Sequence, residues 1–273
     1  MFIMKLYHYT TGQGLKGLLD TNEFHCSNIS FLNDPSEIDY VKKLVNKIVE
    51  ENDLYKSIHS KLYHKSEEDF FSNPTKFILS FCRNKDSLSM WNRYAKDDGY
   101  CIGVILDIEK ISTQIRNNDY FVDKLIVEYD IDKQTDIIKQ IILDYSYKLE
   151  QIKHLNYDYQ GCPLEELKMN YTFELLSLNQ KFKHPAYRDE EEVRLVISVM
   201  DYCQDKSIID YKISKDGTFI EYFKLNVNFE DILNDVICSP NSSEQKYKGI
   251  ESFLNYKFGF EKINLTKSQI PYR

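Results

Sequence analysis

The chain has 273 residues, enough for one large core or two small ones, and 42% hydrophobic and 14% aromatic residues exclude an intrinsically disordered protein. Its net charge of −8 argues against a general binder of nucleic acid or anionic membranes. The six cysteines form no C-x-x-C pair, the amino terminus lacks a signal-peptide core, and no apolar stretch reaches the ~20 residues that span a bilayer. We therefore expect a cytoplasmic protein with reduced thiols and no membrane partner.

The amino-terminal part predicts two short strands, each followed by a helix. Lys5–Tyr9 is the first strand, and Thr10 or Thr11 caps the helix that follows it. Residues 23–27 predict the second strand, and the turn at residues 33–36 leads into an amphipathic helix.

The remainder alternates strands with a long helical stretch. We predict a short helix at residues 87–95, a helical pattern from about 133 to 183, and a last helix at residues 242–256 capped by Ser242. The predicted strands are residues 76–82, 100–107, 122–129, 192–199, 207–213, 218–223 and 235–238. With no linker or internal repeat, the sequence predicts a single α+β domain over residues 1–273. Its central sheet is largely antiparallel, continuous or split, and residues 133–183 form a helical insert.

An acidic run enters the strand at residues 192–199. The chain reads Tyr-Arg-Asp-Glu-Glu-Glu-Val-Arg-Leu-Val-Ile from Tyr187, so the Glu192 carboxylate lies where chain and core meet and is desolvated or paired. In extended chain Glu190 and Glu192 project to the same side, with Arg194 next in line. This pattern indicates a site; the alternative is a solvated hairpin entry in which Arg194 makes a surface ion pair.

Two earlier segments offer further candidates. His8 ends the first strand just before a capped helix, where unpaired N–H groups attract anionic ligands. A plain packed or exposed histidine is the alternative. Asn33, Asp34 and Glu37 either line a pocket beside the first strand or form an ordinary Asx turn that caps a helix.

The single tryptophan lies in Ser89-Met-Trp-Asn-Arg-Tyr94. Trp91 and Tyr94 are three apart and share a helix face, and core packing is the favoured interpretation. The alternative is a stacking surface for a planar ring, with Arg93 available to bind a phosphate.

Several chemistries are disfavoured. The chain contains no G-x-x-x-x-G-K-[ST], G-x-G-x-x-G or G-x-S-x-G motif, and no local signature supports a Cys–His nucleophile. No Cys/His cluster has ligand spacing, so we predict no structural zinc and no metal cofactor. A metal-dependent nuclease or phosphodiesterase built on Asp189, Glu190 and Glu192 stays open, although Arg194 stands where one large nuclease class has lysine.

Four motifs together resemble a large bacterial family of unknown function, DUF2971. They are Leu-Tyr-His-Tyr-Thr at residues 6–10, Phe-Leu-Asn-Asp-Pro-Ser-Glu at 31–37, Met-Trp…Tyr-Ala…Gly-Tyr-Cys-Ile-Gly at 90–103, and Tyr…Glu-x-Glu-x-Arg-Leu-Val at 187–196. This resemblance implies architecture more than activity.

The chain also resembles, more weakly, the ADP-ribosyltransferase-like fold. There an early strand ends in His or Arg followed by Thr, and a later strand opens with a catalytic E-x-E, an order that His8, Thr10, Glu190 and Glu192 follow. The resemblance implies that His8 hydrogen-bonds the nicotinamide ribose. It also implies that Glu192 holds a ribose hydroxyl and stabilises an oxocarbenium-like transition state, and that Glu190 orients the acceptor. The ring-stacking position is left open among Tyr40, Trp91 and Tyr94.

We therefore expect a nucleotide-using enzyme, an ADP-ribosyltransferase or NAD glycohydrolase, with NAD as its substrate and no metal. Its catalytic residues would be His8, Glu190 and Glu192. The further nucleotide-binding candidates are Thr10, Asn33, Asp34, Trp91, Arg93, Tyr94, Tyr187 and Arg194. A role as bacterial toxin or anti-phage defence effector fits such chemistry, with a protein or nucleic acid as acceptor. A catalytically silent module that binds a nucleotide or a protein is the alternative, and the oligomeric state stays open.

Overall fold

The computed structural model describes residues 4–31, 36–63, 75–95, 99–107, 111, 120–154, 163–200, 206–214, 216–259 and 262–271. Its contacts divide the chain into two compact units. The first comprises Met1–Phe31, Lys76–Leu125 and Arg188–Arg273, and the second comprises Leu32–Thr75 and Ile126–Tyr187.

A ten-stranded sheet forms the first unit. The order along its main path is β10-β9-β4-β1-β3-β2-β8-β7, and β6 joins β3 to β5. The strands are β1 Met4–Thr10, β2 Glu23–Asn28, β3 Thr75–Cys82, β4 Tyr100–Leu106, β5 Tyr120–Ile126, β6 Glu192–Val199, β7 Ile209–Ile213, β8 Phe219–Asn226, β9 Leu233–Cys238 and β10 Asn264–Lys267. β10 lies parallel to β9, whereas β1 pairs antiparallel with β3 and β4, β2 with β3 and β8, β4 with β9, and β7 with β8.

The sheet branches at β3. Its carboxyl end pairs with β1 through Tyr7 and Cys82, its earlier part pairs with β2 through Ser27 and Ile78, and β6 is its third partner. Because a strand has two edges, two of these partners share one edge, so the sheet is split beside β3.

The two faces of this sheet carry different cores. One face packs Leu6, Phe24, Phe81, Val193 and Leu195 into a large cluster. The opposite face packs a smaller cluster, which includes Tyr9, Cys82, Trp91, Cys101 and Ile237. This assignment follows the period of two along each strand, since Leu6 and Tyr9, or Phe81 and Cys82, differ by an odd number of positions.

The helices, in chain order, are α1 Gly12–Thr21, α2 Ser36–Glu50, α3 Asp53–Leu62, α4 Leu88–Met90, α5 Ile131–His154, α6 Pro163–Ser177, α7 Phe229–Ile232 and α8 Glu244–Phe258. A π-helix, Trp91–Ala95, continues α4, and a 3₁₀-helix, Pro185–Glu190, precedes β6. The Thr11 side chain caps α1 by accepting a hydrogen bond from the Gly14 N–H.

The second unit is a helical bundle with its own core. α2, α3, α5 and α6 contribute apolar side chains at helical spacing, among them Val41, Ile58, Ile142 and Leu175. Inside this bundle the His59 Nδ1 lies 2.7 Å from the Tyr171 hydroxyl, so these two polar groups are paired.

The predicted α+β class, the largely antiparallel sheet and the helical insert are confirmed, and α5 and α6 form the insert. The prediction of one domain stays a prediction. The predicted cap at Ser242 is wrong by one residue, because the Ser243 side chain accepts the Lys246 N–H. The sequence pattern did not predict α3 or the short strand β10.

Candidate functional site

The chain makes a sharp turn immediately before β6. Glu190 ends the 3₁₀-helix Pro185–Glu190, Glu191 adopts φ 41°, and Glu192 begins β6. The Glu191 carbonyl accepts a hydrogen bond from the Arg83 N–H at 3.2 Å, which anchors the turn at the end of β3. The predicted extended chain through Glu190 and Glu192 is therefore wrong at Glu190. A left-handed residue without a glycine's freedom intervenes and turns the two carboxylates apart.

Glu190 faces two residues of the π-helix. Its carboxylate is 3% exposed and accepts hydrogen bonds from Arg93 Nη1 at 2.5 Å and from the Tyr94 hydroxyl at 3.2 Å. The Arg93 side chain is 42% exposed, so one flank of this pair is open to solvent. The π-helix widens the helical turn, a distortion found often at functional sites. We call Glu190, Arg93 and Tyr94 the Glu190 cluster.

Glu192 is held by a different arginine. Arg194 Nε donates to Glu192 Oε1 and Arg194 Nη2 donates to Oε2, both at 2.9 Å, while the two residues are 6% and 1% exposed. This planar two-point pair engages both carboxylate oxygens. The interpretation of Arg194 as a surface ion pair is wrong, because the pair is buried. Neither side chain faces solvent, so the geometry indicates a structural role for Glu192 and Arg194.

Trp91 lies in the core. It is 1% exposed, its ring packs edge-on against Tyr9 with centroids 4.9 Å apart, and its Nε1 donates to Asp86 Oδ1 at 2.7 Å. Asp86 also accepts from the Ser268 hydroxyl and the Gln269 N–H, so it ties the carboxyl-terminal segment to this helix. The core-packing interpretation therefore describes Trp91, and the proposed nucleotide-stacking role for it is wrong in this structure.

His8 lies on the face of the large core. Its ring contacts the rings of Phe24 and Phe81, with centroids 5.7 and 5.9 Å apart, and its Nδ1 donates to the Ser80 carbonyl at 3.1 Å. Thr10, two residues on, ends β1 opposite Tyr100. The interpretation of His8 as a packed residue agrees with these contacts.

His8 and Glu192 lie on opposite faces of one sheet. Val193 and Leu195 of β6 pack into the same cluster as Phe24 and Phe81, the residues that His8 contacts. Because side chains alternate along a strand, Glu192 and Arg194 point to the other face. The prediction that His8 and Glu192 hold one ribose from two walls of a crevice is therefore wrong.

The other predicted site residues have different partners or fall outside the described residues. Asn33 and Asp34 fall outside them. Tyr187 belongs to the second unit, where Lys183 Nζ lies 5.0 Å from its ring centroid. Tyr40, also in the second unit, donates its hydroxyl to Gln134 Oε1 at 2.7 Å.

The charged groups near β6 do not converge as metal ligands would. Among the residues that the structure describes, no three His, Cys, Asp or Glu side chains are grouped so that they could hold a metal ion. Asp189 is exposed, Glu190 is bound to Arg93, and both Glu192 oxygens face Arg194. Glu190 and Glu192, two of the three carboxylates of the phosphodiesterase alternative, therefore point to separate partners.

The hydropathy of the helices was compared with that of a membrane-spanning segment. Within the described ranges, none of them combines the length and the apolar character that crossing a bilayer requires.

Desolvation of the half-buried His8 ring predicts an acid-sensitive contribution to stability. Desolvation lowers the pKa of His8, Lys212 lowers it further, and the hydrogen bond to Ser80 opposes both. The folded state thus binds fewer protons than the unfolded state, so this contribution is fully present above the unfolded pKa of about 6.5 and is lost as pH falls below it. His8→Gln should reduce the decline in unfolding free energy between about pH 7.5 and 5.5, measured by urea titration at each pH. An unchanged decline in the variant would contradict the burial argument.

Residues 90–195 match the family described as "Protein of unknown function (DUF2971)". The resemblance to that family is confirmed over this segment, which begins one residue before the π-helix and ends inside β6, so it contains every member of the Glu190 cluster. No curated protein matches the chain.

Proposed function

We propose that the protein is a nucleotide-using enzyme that cleaves an N-glycosidic bond, with NAD as the substrate and Glu190 as the catalytic carboxylate. The observation that carries the proposal is the left-handed Glu191, which turns Glu190 out of the strand and into contact with Arg93 and Tyr94. Strained non-glycine backbone is maintained only where surrounding structure enforces it, and it concentrates at active sites. The Glu190 cluster replaces the predicted pair of His8 and Glu192.

A carboxylate with little solvent around it suits this reaction. Cleavage of the bond between nicotinamide and ribose develops positive charge on the sugar, and a fixed anion stabilises that charge most strongly where water is excluded. Glu190 is 3% exposed, and two hydrogen bonds fix its orientation before substrate arrives. Its role would be electrostatic, so no proton needs to move at Glu190 during bond cleavage.

Arg93 would couple substrate binding to the strength of this anion. In the free protein its guanidinium neutralises Glu190, and it also presents an exposed flank that fits a phosphate oxygen. A nucleotide phosphate bound by Arg93 would share the positive charge of the guanidinium. More of the negative charge of Glu190 would then act on the sugar. The Tyr94 hydroxyl would keep the carboxylate in place meanwhile.

The acceptor of the released ADP-ribose group would be water, a protein or a nucleic acid. Transfer to water destroys NAD, and transfer to a macromolecule modifies it. Either outcome in a bacterial cytoplasm suits a toxin or an anti-phage defence effector, and the proposal includes that role.

Purified protein incubated with NAD should release nicotinamide, and Glu190→Gln should slow the release by roughly 100-fold or more, as loss of a preorganised electrostatic group does. Glu191→Gln is the matched control, because its side chain is exposed and adjacent and removes the same charge. Release is measured by chromatography, and circular dichroism checks that each variant folds.

Three results would contradict the proposal. Equal rates in Glu190→Gln and the parent would exclude Glu190 as the catalytic group. Saturable nucleotide binding without turnover would indicate a silent binding module. Cleavage of a nucleic acid that depends on magnesium or manganese would indicate the phosphodiesterase.

A further inference from the structure

The edge of the sheet at β7 presents a self-complementary sequence. Among the strands that the structure describes, β7 is last in the order, with β8 on its inner side. It reads Ile-Asp-Tyr-Lys-Ile from Ile209 to Ile213, so the central Tyr211 is flanked by opposite charges and then by two isoleucines. Exposed strand edges pair readily with other strands unless they are protected.

The backbone groups of the same residues point outward. The Ser214 N–H bonds the Thr218 carbonyl, so in this antiparallel ladder every second residue from Ser214 points toward β8. Tyr211 and Ile213 therefore direct their N–H and C=O groups away from β8. An independent contact agrees, because the Tyr211 N–H donates to its neighbour's Asp210 Oδ1 at 2.8 Å instead of to β8.

Large apolar side chains accompany this edge. Tyr211, Ile213 and Phe219 are 58%, 64% and 63% exposed, and Phe219 on β8 stands opposite Ile213. Three exposed apolar side chains grouped at the end of one hairpin form a patch of the kind that marks an interaction surface.

We propose that β7 pairs antiparallel with β7 of a second copy of this chain, about a two-fold axis at Tyr211. In that register Tyr211 faces its own copy, Ile209 faces Ile213, and Asp210 faces Lys212 across the axis. The outward-pointing residues are the ones that exchange backbone hydrogen bonds, and the charged pairs occupy the positions where side chains approach most closely. A register shifted by one residue would lose both the backbone hydrogen bonds and the charged pairs. Such an interface is isologous and continues the sheet from one copy into the next.

The intrachain partners of the two charges are compatible with this pairing. Asp210 accepts from Lys224 at 2.8 Å, and Lys212 Nζ donates to Ser27 Oγ at 3.1 Å. Both charged side chains are therefore held beside the edge, on the face opposite Tyr211. The Asp210 oxygen that now bonds the Tyr211 N–H would give way to the carbonyl of the second copy.

A charge swap tests the register. Sedimentation velocity of the full chain from about 5 to 500 µM should show a monomer–dimer equilibrium, because pairing of two edge strands buries less surface than a permanent interface. Asp210→Lys or Lys212→Asp alone places like charges opposite each other twice per dimer and should raise the dimer dissociation constant at least about tenfold. The double variant restores the opposite charges and should return the constant to within about threefold of the parent.

A backbone variant tests the edge without changing charge. Tyr211→Pro removes an N–H that does not bond β8, so the hairpin should persist by circular dichroism while dimerisation is lost. A parent that is monomeric at every concentration would overturn the proposal. A single charge variant, or Tyr211→Pro, that is folded and dimerises as the parent does would also overturn it. The same holds for a double variant whose dimer dissociation constant does not return toward that of the parent.

Discussion

Arg194→Met is expected to lower the free energy of unfolding by about 3–5 kcal/mol, because it removes one partner of a buried ion pair and leaves the other charged. The Glu192 carboxylate is 6% exposed and receives both of the Arg194 donors described above. Methionine fills most of the volume without supplying a donor, so the loss measures the broken ion pair more than a cavity. Urea unfolding followed by the fluorescence of the single tryptophan, Trp91, measures the change.

The control for this prediction is the apolar double variant. Replacing both members, as Glu192→Leu with Arg194→Met, removes the charge together with its partner and should recover most of the lost stability. A single variant within about 1 kcal/mol of the parent would show that water or another group already solvates Glu192. A double variant no more stable than the single one would show that the cost lies in packing.

The sheet was predictable because its strands carry strong local signals. Residues 76–82 and 100–107 are short, apolar and bounded by turn residues, and their positions as β3 and β4 follow from that pattern alone. β10 gave no such signal, since only one of its four residues, Leu265, is apolar, and its pairing with β9 depends on a distant part of the chain. α3 was missed because it follows α2 after a break of only two residues.

For the site, the residues involved could be predicted from the sequence, but their spatial arrangement could not. The sequence indicates that a carboxylate at the start of β6 must be paired, and Arg194 is the partner that a period of two implies. Two features depend on tertiary contacts. The left-handed Glu191 depends on its contact with Arg83, 108 positions earlier, and no local pattern marks it. The face on which His8 lies relative to Glu192 depends on how β1, β3 and β6 align across the sheet.

The Glu190 cluster could have been found from one combined signal. Residues 90–95 carry an arginine and a tyrosine on a helix, residues 187–194 carry a run of acidic groups before an apolar strand, and buried carboxylates require cationic partners. Pairing Glu190 with Arg93, instead of with Arg194, follows once Glu192 and Arg194 are assigned to each other.

Trp91→Ala is expected to cost about 3–5 kcal/mol of unfolding free energy, the range for removing a large aromatic side chain from a well-packed core. Trp91 starts the π-helix that carries Arg93 and Tyr94, so the cavity should also loosen their contacts with Glu190. Thermal unfolding by circular dichroism measures the loss, because the variant has no tryptophan left to follow.

Trp91→Phe separates packing from ligand contact. Phenylalanine keeps an aromatic ring against Tyr9 but cannot donate to Asp86, so the cost should be about 1.5–3 kcal/mol, the value of a hydrogen bond to a charged group. The core placement predicts that nucleotide affinity in Trp91→Phe equals that of the parent while the protein is folded. If Trp91→Phe is fully folded and still binds the nucleotide more weakly than the parent, Trp91 belongs to the ligand site. Asp86 also accepts hydrogen bonds from Ser268 and Gln269. Hydrogen exchange at the carboxyl-terminal segment should therefore rise more in Trp91→Ala than in Trp91→Phe, in proportion to how far Asp86 moves.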